Sequence, residues 1–219
     1  MKRTIPATCK SADVKHDNTA LSPVIGIILL ILLTVLLAGI TVSSVYGKDY
    51  SSSLQPAPIA VIEVESVVGG VPNKVQYKAN YIVLVHKGGE PLQTGSTKII
   101  ITGEGSSYTG VVAHGGITQY GDLFIIYDDL RYNNKKSRYA SNNPDIADGV
   151  WSSGEILVVN GDDSPVGSAP SSVHVTIKGM TNTSDNYGLK QNSVITIKVF
   201  DRDTNKIIAE AKHKVTPAK

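Results

Sequence analysis

The chain has 219 residues, a net charge of only +2, 41% hydrophobic residues and one cysteine. So small a charge gives no general attraction to polyanions, and a single cysteine excludes a disulfide framework within the chain. A folded domain here is held by its core alone, and this length is enough to bury one.

Taken in order, residues 1–20 are polar and partly basic. Lys2, Arg3, Lys10 and Lys15 stand against Asp13 and Asp17. Excess positive charge ahead of a first apolar segment favours a cytoplasmic N-terminus and places the C-terminal part on the other side. Cys9, the one cysteine, precedes the apolar segment, which argues against a lipobox-type lipid anchor.

From Asn18 to Gly47 no side chain is charged, and Val24 to Val42 is almost unbroken aliphatic sequence. A transmembrane helix needs ~20 apolar residues to cross a ~30 Å hydrocarbon layer, which this segment meets. A secretory signal has a shorter apolar core, about 7–15 residues, and a small-residue cleavage site. Here Val42-Ser43-Ser44-Val45-Tyr46-Gly47 is a poor site of that kind. A core helix of a soluble domain carries a polar stripe, and this segment has none. The membrane-spanning reading is therefore preferred. Ser22 suits a helix cap and Pro23 the first helical position, where no donor is needed. Gly26 and Gly39 leave gaps where a neighbouring helix fits closely.

Ala20-Leu21-Ser22-Pro23-Val24-Ile25-Gly26-Ile27-Ile28-Leu29 resembles the N-terminal signature of archaeal type IV pilins. The resemblance covers the first 50 residues specifically. It implies that a prepilin peptidase removes the leader between Ala20 and Leu21, so that the helix stays in the mature subunit, Leu21–Lys219. The chain departs from the common pattern at Thr19, where a Lys or Arg usually precedes the small residue. Archaellins usually open their helix without S-P-V-I-G, so a motility-filament subunit is the weaker expectation.

Lys48–Pro58, KDYSSSLQPAP, breaks both periodicities and reads as a linker; from Pro56 onward it also reads as the opening coil of the next domain. From Ile59 the sequence becomes short β-rich runs punctuated by Gly, Asn, Asp and Pro. In Ala60–Glu65, Ile62 and Val64 share one face and Glu63 and Glu65 the other, a half-buried strand by its period of two. Tyr81–Val85 is apolar throughout and suits a central strand. Further candidates are Lys98–Thr102, Tyr108–Ala113, Leu123–Tyr127, Ile156–Asn160, Val173–Lys178 and Val194–Phe200. Val173, Val175 and Ile177 alternate with His174, Thr176 and Lys178, the first set inward. Val194–Phe200, the turn DRDTNK and Ile207–Val215 read as a hairpin. Eight or nine strands without a convincing helix indicate one β-sandwich.

His86-Lys87-Gly88-Gly89-Glu90-Pro91-Leu92 comes after the apolar strand as a turn, with glycines free to take positive φ and a leucine returning to the core. An H-x-G-G-D/E-x-L turn of this kind recurs in the archaeal pilin family, and His86, Gly88 and Gly89 are the matching residues. No Asp or His partner at ligand spacing gives His86 a metal or catalytic role.

Other constellations lack the remaining parts of a site. Asp201-Arg202-Asp203-Thr204-Asn205 begins like a calcium loop, but Lys206 and Lys212 stand where glycine and glutamate are required. The pairs Asp128-Asp129 and Asp162-Asp163 read as solvated surface carboxylates. Arg131–Asp148, with Arg131, Lys135, Lys136 and Arg138 beside Tyr132 and Tyr139, reads as a solvated insertion in preference to a nucleic-acid surface. The ten tyrosines, against two phenylalanines, suit half-exposed surfaces and subunit contacts. No G-x-S-x-G, phosphate loop or dinucleotide fingerprint appears. Asn182-Thr183-Ser184 is the one sequon, which makes Asn182 a candidate glycan acceptor on a head outside the membrane.

The expected architecture is a single N-terminal hydrophobic helix followed by an all-β sandwich, immunoglobulin-like or pilin-head-like. Its parts are a leader (1–20), a filament-core helix (21–47), a linker (48–58) and an extracellular head (59–219). What the resemblance implies is a subunit of an archaeal type IV pilus-like filament, with adhesion as one expected role. Its partners are then the prepilin peptidase, membrane lipid, the pilus assembly platform and copies of itself. No enzyme activity, cofactor, metal or nucleic acid is expected. The alternatives are an anchored surface β-domain that does not polymerise, and a minor pilin.

Overall fold

A computed structural model describes residues 23–45, 56–70, 76–110, 116–167 and 169–218. The chain divides after Tyr50 into two units. In the first, helix α1 spans Pro23–Val45. Proline stands at its first position, where a missing N–H costs nothing.

The second unit carries strands β1 (Ala60–Gly69), β2 (Tyr81–Gly89), β3 (Leu92–Gln93), β4 (Thr97–Thr109) and β5 (Ile117–Tyr127). A short helix α2 (Ser137–Asn142) comes next, then β6 (Val150–Trp151), β7 (Ile156–Asn160), β8 (Val173–Ile177) and β9 (Thr183–Leu189). The chain closes with β10 (Val194–Asp201), β11 (Lys206–Lys214) and β12 (Thr216–Pro217). One large sheet runs β12-β1-β2-β7, the second runs β11-β10-β4-β5-β8 with β9 paired to β4 as well, and β3 and β6 form a small two-stranded sheet. β1 and β12 are parallel, and the long pairs are antiparallel. This is a β-sandwich behind an apolar N-terminal helix.

Alternation builds the core. Ile82 and Leu84 of β2 and Leu157 and Val159 of β7 join Ile99, Ile101, Ile125, Val175, Ile197 and Val199 of the other sheet in one buried cluster. Ile62 and Val64 are half-buried while Glu63 and Glu65 are exposed, as the period of two requires. Val173, Val175 and Ile177 are buried, and β10 and β11 form the expected hairpin. Its turn is closed by Asp201, whose Oδ2 accepts from the Thr204 N–H (3.0 Å) and Oγ1 (2.6 Å).

Two strand candidates merge. Lys98–Thr102 and the first part of Tyr108–Ala113 belong to one strand, β4; residues 111–113 lie outside the described residues. The intervening Gly103-Glu104-Gly105-Ser106-Ser107 looks like a break but serves as a crossing. Thr97–Thr102 pairs with β10, and Gly105–Thr109 pairs with β9. A Cβ on Gly105 would collide with the Gly188 carbonyl oxygen of β9, so the glycine lets the second neighbour approach. β9 itself, TSDNYGL, lacks an apolar alternation and is not visible in the sequence pattern.

Arg131–Asp148 is not a solvated insertion. It contains α2, and Tyr139 and Ile146 are buried in the core cluster. The Asn143 side chain, fully buried, donates from Nδ2 to the Val158 carbonyl (2.8 Å) and accepts the Val158 N–H at Oδ1 (2.6 Å). It thus takes the place of a further strand along the free side of β7.

Candidate functional site

The sequence directs attention to two places, α1 and the His86 turn. In α1, the segment Pro23–Ser44 is long and apolar enough to cross a membrane. At ~1.5 Å per residue its 23 residues span about 34 Å. Its large side chains are exposed from Val24 (61%) to Val42 (55%). The hydroxyls of Thr34, Thr41, Ser43 and Ser44 bond back to the carbonyls of Ile31, Ala38, Gly39 and Thr41 respectively. Each is therefore satisfied within the helix, as a hydrocarbon surrounding demands. A Cβ on Gly26 or Gly39 would meet nothing within 4 Å, so these glycines leave open surface. Pro23, Val24, Ile25 and Gly26 form the first turn; Ala20, Leu21 and Ser22 lie outside the described residues.

The His86 turn is built into the interior. His86 has no exposed surface, and its Nε2–H donates to the Glu90 carbonyl (3.0 Å). Its ring meets Trp151 edge to face at 5.8 Å, while Nδ1 is buried without a partner. The His86 N–H reaches the Glu155 carbonyl (3.0 Å), which also accepts from Trp151 Nε1 (3.1 Å). Leu92 returns to the core at 1% exposure and pairs with Trp151. Of the two glycines, Gly89 takes positive φ (+103°) and Gly88 does not. A Cβ on Gly89 would collide with the Ile59 carbonyl oxygen.

The carboxylate pairs are split by the fold. Asp128 keeps 41% of its side chain exposed, but Asp129 and Asp163 are buried. Lys135, with no exposed side-chain surface, lies 3.3 Å from Asp129 and donates to the Arg131 carbonyl and Ser172 Oγ, each at 2.7 Å. Its ammonium also sits 4.9 Å from the Tyr139 ring centroid. Burial pushes the Asp129 carboxyl up, but Arg131 and Lys135 outweigh it and hold the group below its ordinary value. Burial pushes Lys135 down, and Asp129 only partly offsets this. The asymmetry is physical: the carboxylate has two cations within bonding distance, while the ammonium has one such carboxylate, a more distant Asp163 and the opposing charge of Arg131. Lys136 and Arg138 both pair with Asp162. The basic residues of this segment are therefore engaged with the protein's own carboxylates.

Asp163 lies between β5 and β9. Its Oδ2 accepts from the Asn160 N–H (2.7 Å) and the Tyr127 hydroxyl (2.9 Å), and that hydroxyl touches Tyr187 Oη at 3.0 Å. Burial, reinforced by Asp162, raises the Asp163 carboxyl to about 7 against these hydrogen bonds. Tyr127, Tyr139 and Tyr187 are fully buried, unlike the half-exposed tyrosines that composition suggests. Spacing gives no hint of these clusters, whose members lie 36 and 60 residues apart. Among the described residues no group of three or more His, Cys, Asp or Glu side chains could hold a metal ion.

Asn182 is exposed in the turn between β8 and β9, and its carbonyl accepts the Gly110 N–H at 2.9 Å. In the same sequon Thr183 bonds the Val175 carbonyl (2.7 Å), and the Ser184 hydroxyl is buried without a partner.

No protein-family model matches the chain. A protein of Archaeoglobus fulgidus, described as uncharacterized, is 32% identical over 93 residues, or 42% of this chain. The chain spans 59% of that protein's length.

Proposed function

We propose that the chain is a structural subunit of a cell-surface filament of the archaeal type IV pilus kind. The observation that carries this reading is Ser22-Pro23-Val24-Ile25-Gly26 at the start of an uncharged 23-residue helix, joined in one chain to a β-sandwich. On this reading α1 holds the precursor in the membrane with the head outside, as the basic leader favours. A prepilin peptidase cuts between Ala20 and Leu21, and an assembly platform moves the helix into a filament core built from copies of itself. Apolar surface stays out of water in both surroundings, so the transfer has no large hydrophobic cost. The helix then acts twice, as anchor and as polymer core. The head faces outward, where adhesion and glycan attachment at Asn182 are available to it. The role is structural, without catalysis.

N-terminal sequencing of the native protein tests this. Leu21 as first residue is expected; a native start at Met1 would leave a simple anchored β-domain and sink the filament reading.

A further inference from the structure

The first residues described after α1 lead directly into β1. Ala57 and Pro58 are half-buried, Ile59 is exposed, and β1 begins at Ala60, opposite Gly89. One residue before the strand, Ile59 and Glu90 grip each other twice. The Glu90 N–H donates to the Ile59 carbonyl (2.7 Å), and the Ile59 N–H donates to Glu90 Oε2 (2.9 Å). Both residues are exposed, so core packing accounts for neither contact. Gly89 allows the close approach, because a side chain there would strike the Ile59 carbonyl and its φ of +103° disfavours one.

What holds Glu90 in place is buried. The His86 ring fixes the Glu90 carbonyl at 3.0 Å and rests on Trp151. The Gly154 N–H donates to the His86 carbonyl (2.7 Å), and Ser152 N–H to Glu155 Oε2 (2.6 Å). A rigid turn bolted to the core thus presents one carboxylate and one N–H to the residue where the tether arrives.

We propose that the His86–Leu92 turn is a clasp that fixes the attachment point of the membrane tether at Ile59, so that β1 does not peel from its first residues. This rests on reading α1 as an anchor. A strand tethered at its end frays from that end, because terminal ladder bonds open one at a time. The clasp moves the first free residue ahead of the ladder and passes the tether's pull to His86 and Trp151. It gives the H-x-G-G-E pattern a division of labour: His86 locks the turn, Gly89 admits Ile59, and Glu90 holds it.

The test uses the full chain in detergent micelles and amide hydrogen exchange. Glu90→Ala, at an exposed position, is compared with wild type and with Glu65→Ala, an exposed carboxylate on the same strand as the clasped end. Exchange over residues 59–64 is expected to accelerate about tenfold in Glu90→Ala, with the thermal midpoint and the β7 and β10 amides unmoved. Glu65→Ala is expected to change neither. Unchanged exchange over 59–64 in Glu90→Ala would overturn the clasp, and so would acceleration spread evenly over the sandwich, which marks a general stability element. Either result leaves the Leu21 processing test standing, since exchange in the isolated chain does not depend on polymerisation.

Discussion

Asp163 accepts a 2.9 Å hydrogen bond from the Tyr127 hydroxyl while its other oxygen, Oδ1, is buried without a partner. Asp162, Lys135, Tyr127, Tyr139 and Tyr187 are titratable groups coupled to it. The folded carboxyl titrates at about 7 against an ordinary value of 3.8. The folded chain therefore binds this proton more tightly than the unfolded chain. Stabilisation from Asp163 is fully present below about 4 and is lost as pH rises through about 7, above which the loss is complete. At about 1.4 kcal/mol per unit the effect is on the order of a few kcal/mol. Asp129, held low by Arg131 and Lys135, acts oppositely and loses its contribution only in more acid solution. Thermal midpoints are expected to fall between pH 5 and pH 8 in wild type and to stay level in Asp163→Asn. Identical wild-type midpoints across that window would refute the assignment.

Lys135 offers a second test. Removing one partner of a buried ion pair costs ~3–5 kcal/mol when the other charge is stranded. Here Arg131 remains beside Asp129 at 2.7 Å, so the carboxylate keeps a cation. Lys135→Met is therefore expected to cost less than that range, roughly 1–2 kcal/mol through the lost bonds to the Arg131 carbonyl and Ser172. Asp129→Ala strands the fully covered Lys135 and is expected to cost more. Urea unfolding of the two variants decides the order, and the reverse order would disprove this account.

The sequence exposes what depends on period and hides what depends on distance. α1 is legible because a helix long and apolar enough to cross a membrane shows itself in length and lack of charge alone. Val173–Ile177 is legible because alternation in a half-buried strand is local. β4 reads as two strands because Gly103 makes room for Ile195 of β10 and Gly105 for Gly188 of β9, and nothing local says that these strands come beside them. The turn is legible only in part: His86 to Gly89 belong to β2 and the chain turns after them, and the grip of Glu90 on Ile59 joins residues 31 apart. Asp163 looks like a surface charge because Tyr127 reaches it from 36 residues away, and Lys135 because, beside its near neighbours Asp129 and Arg131, it is met by Ser172 from 37 residues away. Long-range pairing decides burial, and composition carries no record of it.

Asn143 carries a third expectation. Its amide satisfies both the N–H and the carbonyl of Val158 on the free side of β7. Asn143→Ala leaves those groups unpaired under α2, at about 1–3 kcal/mol. It also uncovers a strand side able to pair with another chain. Lowered thermal stability together with concentration-dependent aggregation is expected, by scanning calorimetry and light scattering. Asn143→Asp sets a buried carboxylate oxygen against the Tyr139 and Val158 carbonyls and is expected to cost at least as much as alanine.

Ile31→Asp tests the helix itself. Ile31 lies two turns into α1, in a run whose side chains are apolar from Val24 to Leu33. A carboxylate near the bilayer centre costs ~2.5–3.5 kcal/mol on insertion scales. The same charge opposes burial among apolar helices in a filament core, where it has no partner. Both states that the proposed function requires are therefore penalised by one substitution. Cell fractionation is expected to show the variant lost from the membrane, and electron microscopy to show no filaments, whereas Ile31→Leu behaves as wild type in both. Circular dichroism on the same material separates failure of the helix from failure of the head, since a folded sandwich keeps its β signal. Filaments of normal number and length from the aspartate variant would count against a core made from this helix.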